Sequence, residues 1–381
     1  MKNVEKNKST KRWKKAMLWF AGVIIFIVAF ALVFIRIVPS FGYMSVTKTE
    51  QEDYAKRASN YRDGKFENEH EFSVMEKVPE GAEDGTLSKK GTTPEDEIPT
   101  ETPLFLSDFS DNEITYTWLG HSTLLIQIDG KNILVDPILS DISSPVSFVG
   151  NKRFSKVPIE AEELPEIDIV LYTHDHFDHL DYPTLKKIDS KVKQYVVPLG
   201  VENHLKRFGV DESKISNMAW WESETYGGLT IACTPARHYS GRYILDNFST
   251  LWCSYALLTD NHKIFLSGDT GYDDHFKQIH EKYGDFDIVF TDGAQYDLRW
   301  PSVHMNPEEA YKSLEILGAE YAVPVHWAAF RLANHPWDDS VQRLVKAAEN
   351  GEVTILTPKL GETMKIENLD DYQERWYEQI Q

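Results

Sequence analysis

The stretch Ile167-Asp-Ile-Val-Leu-Tyr-Thr-His174-Asp175-His176-Phe-Asp178-His179-Leu180 decides how this chain is read. It begins as a short apolar, β-branched run, the mark of a buried strand. It then delivers three imidazoles and two carboxylates within six residues. A chain leaving a strand splays successive side chains about one point, and neutral imidazole with carboxylate is a donor set suited to zinc. His174 and His176 alternate in a tight loop and suit one ion, while Asp178 and His179, beyond the next bend, suit a second. Thirteen histidines in 381 residues make three within six improbable as a chance surface loop.

Two ions need further ligands. His238 follows the apolar run 229–234, Asp269 follows 263–267 within SGDTG, and His326 follows 321–325. A lone His or Asp after a strand is more often a turn or capping residue. Together, the three complete a two-metal set at one sheet edge. Strands are also expected at 113–120, 122–128, 131–136, 167–172, 194–197, 251–259 and 287–291. Asp129-Gly130 should turn one hairpin and Asp260-Asn261 another. Asn306-Pro307-Glu308-Glu309 reads as a capped helix start, with its end at Gly318. Strand meanders followed by strand–helix alternation indicate a layered α/β domain over 113–381.

Ahead of it, residues 36–112 are polar and acidic, a linker or arm wrapping the domain. Residues 16–35, AMLWFAGVIIFIVAFALVFI, carry no charge. As a helix they cover about 30 Å, the thickness of a bilayer's hydrocarbon core. The flank 1–15 holds seven basic residues against a lone Glu5. The expectation is a single-pass membrane anchor with a cytoplasmic N-terminus and an extracytoplasmic catalytic domain. Trp13, Trp19 and Tyr43 stand at interfacial positions. A cleaved signal peptide would have a shorter apolar core and an A-x-A site, which this stretch lacks.

The net charge of −20 disfavours nucleic acid as a partner. Two cysteines, Cys233 and Cys253, exclude a disulfide-stapled scaffold and leave one bridge open.

HDHFDH resembles the H-x-H-x-D-H signature of the metallo-β-lactamase superfamily. WLGHSTLLIQIDG, TPARHYSGR, FLSGDTGY, GAQYDLRW, HMNPEEA and PVHWAAF look like its N-acyl-phosphatidylethanolamine phospholipase D branch, and YRDGKFENEH looks like the lead-in of bacterial members. The resemblance implies a four-layer αβ/βα sandwich with a dinuclear zinc site, preceded here by the transmembrane helix. His174, His176 and His238 would hold one ion, Asp178, His179 and His326 the other, and Asp269 would bridge them. Asp136 matches a position that orients a ligating histidine, and His304 a histidine on the substrate side. Ala328-Ala329 stands where that branch has Gly-Thr, and the branch lacks a membrane span.

The function expected is a membrane-anchored hydrolase with two zinc or other divalent ions, cleaving a phosphodiester of a phospholipid through a metal-bound hydroxide. Asp178, Asp269 and His304 are its candidate catalytic residues. Arg237, Arg299 and Tyr296 are candidate substrate-binding residues, with Lys152, Arg153 and Arg242 as further cations. His121 reads as a histidine supporting a ligand loop. Trp220, Trp221 and Trp327 are either acyl-groove or core residues. A lactonase or amidohydrolase is the alternative, and a non-catalytic zinc module ranks last because every ligand type is present. His176 argues against a di-iron oxidoreductase.

Overall fold

Asp129 and Gly130 both take positive φ, 49° and 65°, and close a two-residue turn between Ile128 and Lys131. The computed structural model containing this hairpin describes residues 2–42, 46–78, 90–107, 109, 113–243 and 246–380, without the side chains of 2–12. Tyr43, the acidic run 79–89 and the side chains of Lys2, Lys6, Lys8, Lys11 and Arg12 therefore lie outside the described residues.

Two seven-stranded sheets form the body. The first contains β1 (Thr115–Gly120), β2 (Thr123–Ile128), β3 (Lys131–Val135), β4 (Ile167–Leu171), β5 (Val192–Pro198) and β6 (Ile215–Met218). The second contains β7 (Ser223–Tyr226), β8 (Leu229–Thr234), β9 (Ser254–Leu258), β10 (Lys263–Leu266), β11 (Ile288–Asp292), β12 (Tyr321–Val325) and β13 (Thr354–Ile355). A last strand, β14 (Thr363–Lys365), returns to the first sheet beside β1. The orders are β6-β5-β4-β3-β2-β1-β14 and β7 through β13 in sequence. Apart from β14, which pairs antiparallel with β1, each sheet is antiparallel over its earlier strands and parallel over its later ones.

Alternation along the strands sorts side chains into layers. Ile126, Ile133 and Ile169 of the first sheet meet Ile231, Leu257, Ile264 and Phe290 of the second in one buried core. On the outer face of the first sheet, Leu134, Val170 and Tyr195 pack under α3 (Tyr182–Ile188) and α4 (Val201–Phe208). On the outer face of the second, Phe265 and Val289 pack under α5 (His275–Tyr283), α6 (Pro307–Ile316) and α7 (Asp339–Ala348). The result is an αβ/βα sandwich. Asn306 and Glu309 form the capping box that starts α6, and Gly318 at φ 60° follows its end.

The N-terminal helix α1 spans Lys2–Ile37, and none of its apolar segment Trp13–Ile37 is buried. It is long and apolar enough to cross a membrane. Within the polar stretch read as linker, α2 (Lys48–Arg57) begins with a Thr47–Glu50 capping box and seats Tyr54 and Arg57 on the body. Cys233 and Cys253 are buried free thiols.

Candidate metal centre

The loops at the C-terminal ends of the strands carry the site, as α/β sheets favour. After β4, Thr173 turns the chain and His174 to His179 follow. Asp136, one residue past β3, accepts from the Thr173 N–H at 2.8 Å, the Thr173 hydroxyl at 2.6 Å and His179 Nδ1 at 2.8 Å. Because Thr173 spends its proton on Asp136, its oxygen accepts from His174 Nδ1 at 2.9 Å. His238 Nδ1 donates to the Val303 carbonyl at 3.1 Å. In each ring the outward nitrogen holds the proton, so Nε2 faces inward with a bare lone pair. His326 has Ser122 Oγ at 3.1 Å from its Nδ1 and likewise turns Nε2 inward.

Those lone pairs crowd together. His176 Nδ1 lies 2.9 Å from His174 Nε2 and 3.3 Å from His238 Nε2. One Asp269 oxygen lies 3.1 Å from His179 Nε2, 3.3 Å from His326 Nε2, 3.7 Å from His174 Nε2 and 3.9 Å from His238 Nε2. Ligands at about 2.0–2.1 Å around a tetrahedral ion stand roughly 3.3 Å apart, so these spacings suit cations placed between them. His179 Nε2, His326 Nε2 and Asp269 Oδ1 are buried without a hydrogen-bond partner, as metal donors would be. The site residues therefore fit a divalent ion, and two adjacent groups of donors with no residue in common make up this centre: His174, His176, His238 and Asp269, and His121, Asp178, His179 and His326.

Electrostatics agree for four of the rings; at His179 burial opposes a charge, but the Asp269 and Asp136 carboxylates outweigh it and the pKa is raised. Burial drives His174, His238 and His326 well below the usual imidazole range and His176 down to about 4, so all four are neutral, the state that ligates. Burial also pushes Asp269 up to about 6, partly offset by His179. Three supporting residues adopt positive φ: Asp136 at 41°, His121 at 53° and His326 at 68°. Such backbone costs about 1–3 kcal/mol per residue and persists where the surroundings enforce it.

His121 Nε2 lies 2.9 Å from Asp178 Oδ2, bracing that carboxylate. His304 lines the cleft beside the ligands, its Nδ1 2.8 Å from Asp292 Oδ2. Burial opposes a charge on His304, but the Asp292 carboxylate outweighs it and the pKa is raised.

The cleft over the centre holds about 690 Å³, with His176, Asp178, Asp269, His304 and His326 at its floor. Phe177, Tyr239, Trp300, Leu332, Val74 and Met75 line it with apolar surface. The remaining candidates stand elsewhere. Arg237 bonds the carbonyls of Tyr272 and Glu71, and Arg299 pairs with Asp297 and stacks on Trp300. Tyr296 bonds Asp339 and Arg343 and stacks on His335. Arg153 is buried against the carbonyls of Ile138 and Ser140, and Lys152 is exposed on a neighbouring hollow. Arg242 does line the cleft, but its guanidinium serves the carbonyls of Asp175, Leu180 and Ser40. Trp327 stacks on Trp118 in the core, while Trp220 donates to the Trp252 carbonyl.

Several residues escaped the sequence reading. Asp292 ends β11 as Asp136 follows β3, so the same strand-then-acid pattern marked it. Asn68 bonds both the N–H and the carbonyl of His238, bringing the arm to the cleft rim. Its signal lay in YRDGKFENEH, within a polar stretch. Asp175, the other carboxylate of the donor loop, is held by His204 at 3.0 Å and accepts from the Gly241 N–H at 2.8 Å.

Comparison with known proteins agrees with this geometry. A model described as beta-lactamase superfamily domain matches residues 131–327. An uncharacterized protein of Mycobacterium tuberculosis is 38% identical over 317 residues, covering 81% of this chain and 84% of that one. The N-acyl-phosphatidylethanolamine-hydrolyzing phospholipase D 1 of Caenorhabditis elegans is 32% identical over 270 residues, covering 66% of this chain and 76% of that one. The crystal structure of isothiocyanate hydrolase from Delia radicum gut bacteria shares the fold at 21% identity and a TM-score of 0.52, covering 66% of this chain and 98% of that one. The chain thus belongs to the metallo-β-lactamase superfamily and is a metal-dependent hydrolase.

Proposed function

We propose that the chain is a membrane-anchored, dinuclear zinc phosphodiesterase of phospholipase D type, acting on N-acyl-phosphatidylethanolamine-like lipids. The observation that carries the two-ion reading is the single Asp269 oxygen lying within 3.1–3.9 Å of four inward imidazole nitrogens. His174, His176 and His238 would hold one ion, Asp178, His179 and His326 the other, with Asp269 between them. Such a pair supplies a water of lowered pKa and a Lewis acid for the scissile group. The lipid substrate is supported by the phospholipase relative and by the apolar walls of the cleft. The anchor is supported by the length and exposure of α1.

The chain's own groups have distinct tasks. Asp292 fixes the His304 tautomer, leaving Nε2 to take up or return a proton on the substrate side. His121 keeps the Asp178 carboxylate oriented, and Asp136 does the same for His179. Tyr239 and Trp300 exclude water and offer an acyl chain apolar surface. The domain 113–381 carries this machinery.

One observation favours a lactonase or amidohydrolase instead. Among the described residues, the cation lining the cleft is Arg242, and its Nη1 and Nη2 are already engaged by carbonyls. A phosphodiester would therefore lean on the ions for its charge.

The test is the full chain in lipid vesicles containing N-acyl-phosphatidylethanolamine, beside a lactone panel, with zinc content measured. Release of N-acylethanolamine at two zinc ions per chain is expected. Lactone turnover without lipid cleavage would overturn the substrate assignment.

A further inference from the structure

Helix α1 ends at Ile37, and the chain does not then drift away on a tether. Three residues on, Ser40 is buried in the body, within about 10 Å of chain length from the helix end. Its hydroxyl donates to the Pro145 carbonyl at 2.5 Å, and its carbonyl accepts from Arg242 at 2.9 Å. The Arg36 carbonyl accepts from Arg207 of α4, and Phe41 packs edge-on against Phe34 at 5.7 Å. The end of the apolar helix is therefore fastened to one face of the body.

That face carries an unusual loop. A two-stranded ribbon, Ile142–Ser143 with Asn151–Lys152, holds the loop 144–150. At its tip Phe148 is 78% exposed and Val149 61%, while Pro145 at its base bonds the segment leaving the helix. Between tip and segment lies a hollow of about 600 Å³, lined by Ser40, Pro145, Val146, Phe148, Lys152 and Tyr182. The ribbon's other side belongs to the metal cleft, which Ser143 and Asn151 line.

We infer that this face rests on the bilayer, with Phe148 and Val149 lodged at the headgroup–acyl boundary and the cleft mouth held beside the lipid surface. The inference rests on the reading of α1 as a membrane span, and the occupant follows from continuity with it. A helix end fixed three residues from the body brings that face to the interface, where an aromatic and a β-branched side chain gain from partial immersion. The ribbon then links the bilayer to the rim of the site.

The experiment uses the full chain in phosphatidylcholine vesicles. Phe148→Cys, with Val149→Cys as a second variant, is labelled with an environment-sensitive thiol dye. Cys233 and Cys253, at most 1% exposed, are shielded from the reagent. Trp19→Cys reports on the span itself. Nitroxide on the lipid acyl chains should remove most of the emission at both sites, while aqueous iodide leaves it intact. A Trp19 label quenched by lipid beside a Phe148 label quenched by iodide would overturn the docking and leave the anchor standing. A Trp19 label untouched by lipid nitroxide would overturn the anchor and the docking with it. Shielding of the Phe148 label from both quenchers would mean a protein partner, such as a second copy, and would also overturn the assignment.

Discussion

One Asp269 oxygen lies within 3.9 Å of the inward nitrogens of His174, His179, His238 and His326, so its carboxylate reaches both halves of the proposed donor set. Asp269→Asn should abolish turnover and lower the metal bound per chain, as elemental analysis would show. Asp136→Ala should leave the ligands in place but free the His174 and His179 rings, at a cost of about 10- to 100-fold in metal affinity or activity. A different residue sets a pH dependence. Asp246 is pushed up to about 7, first by burial and then by Asp175, against an ordinary aspartate value near 4. The fold therefore holds a proton there that the unfolded chain releases, and stability contributed by the protonated acid is lost as pH rises from about 4 through 7. Asp246→Asn should match the wild type near pH 4 and exceed its Tm above pH 7, as calorimetry would show. The donor loop was legible because ligation demands particular residue types at close spacing. Asp292 and Asn68 were not, since one acid at a strand end or one amide in a polar arm has many ordinary uses.

Elements with a regular apolar pattern were legible in the same way, and those without were not. Buried central strands such as β4 and β12 announce themselves by β-branched runs, and α6 by its cap. Strand β7, Ser-Glu-Thr-Tyr, lies at a sheet edge with no buried residue, so it lacks any alternation to read. Helix α2 is polar almost throughout, and Tyr54 alone in it is buried. That tyrosine bonds Glu202 at 2.5 Å across 148 residues. Tyr54→Phe should leave one oxygen of that buried carboxylate without its hydroxyl donor, while the Gly200 N–H still serves the other. It should cost about 1–3 kcal/mol and expose the arm to protease at lower temperature. Gly42 belongs to the fastening segment, at φ 68°, where an added Cβ would lie 2.5 Å from Arg242 Cδ and 2.9 Å from His204 Nδ1. Gly42→Val should lower the Tm in detergent and loosen the segment between α1 and the body.

At the scale of the whole molecule, two sheets share one core while the donors sit on loops above it. Removing metal with a chelator should therefore abolish hydrolysis yet preserve the far-ultraviolet circular dichroism of the sandwich, and added zinc should restore activity. The short join between α1 and the body has a kinetic side. A lipid reaching this cleft would arrive by lateral diffusion within the leaflet, never from bulk water. Turnover should then follow the mole fraction of substrate in the enzyme's own vesicle and stay constant as the suspension is diluted. Vesicles lacking the enzyme should keep their substrate, each membrane being processed only by the copies it carries.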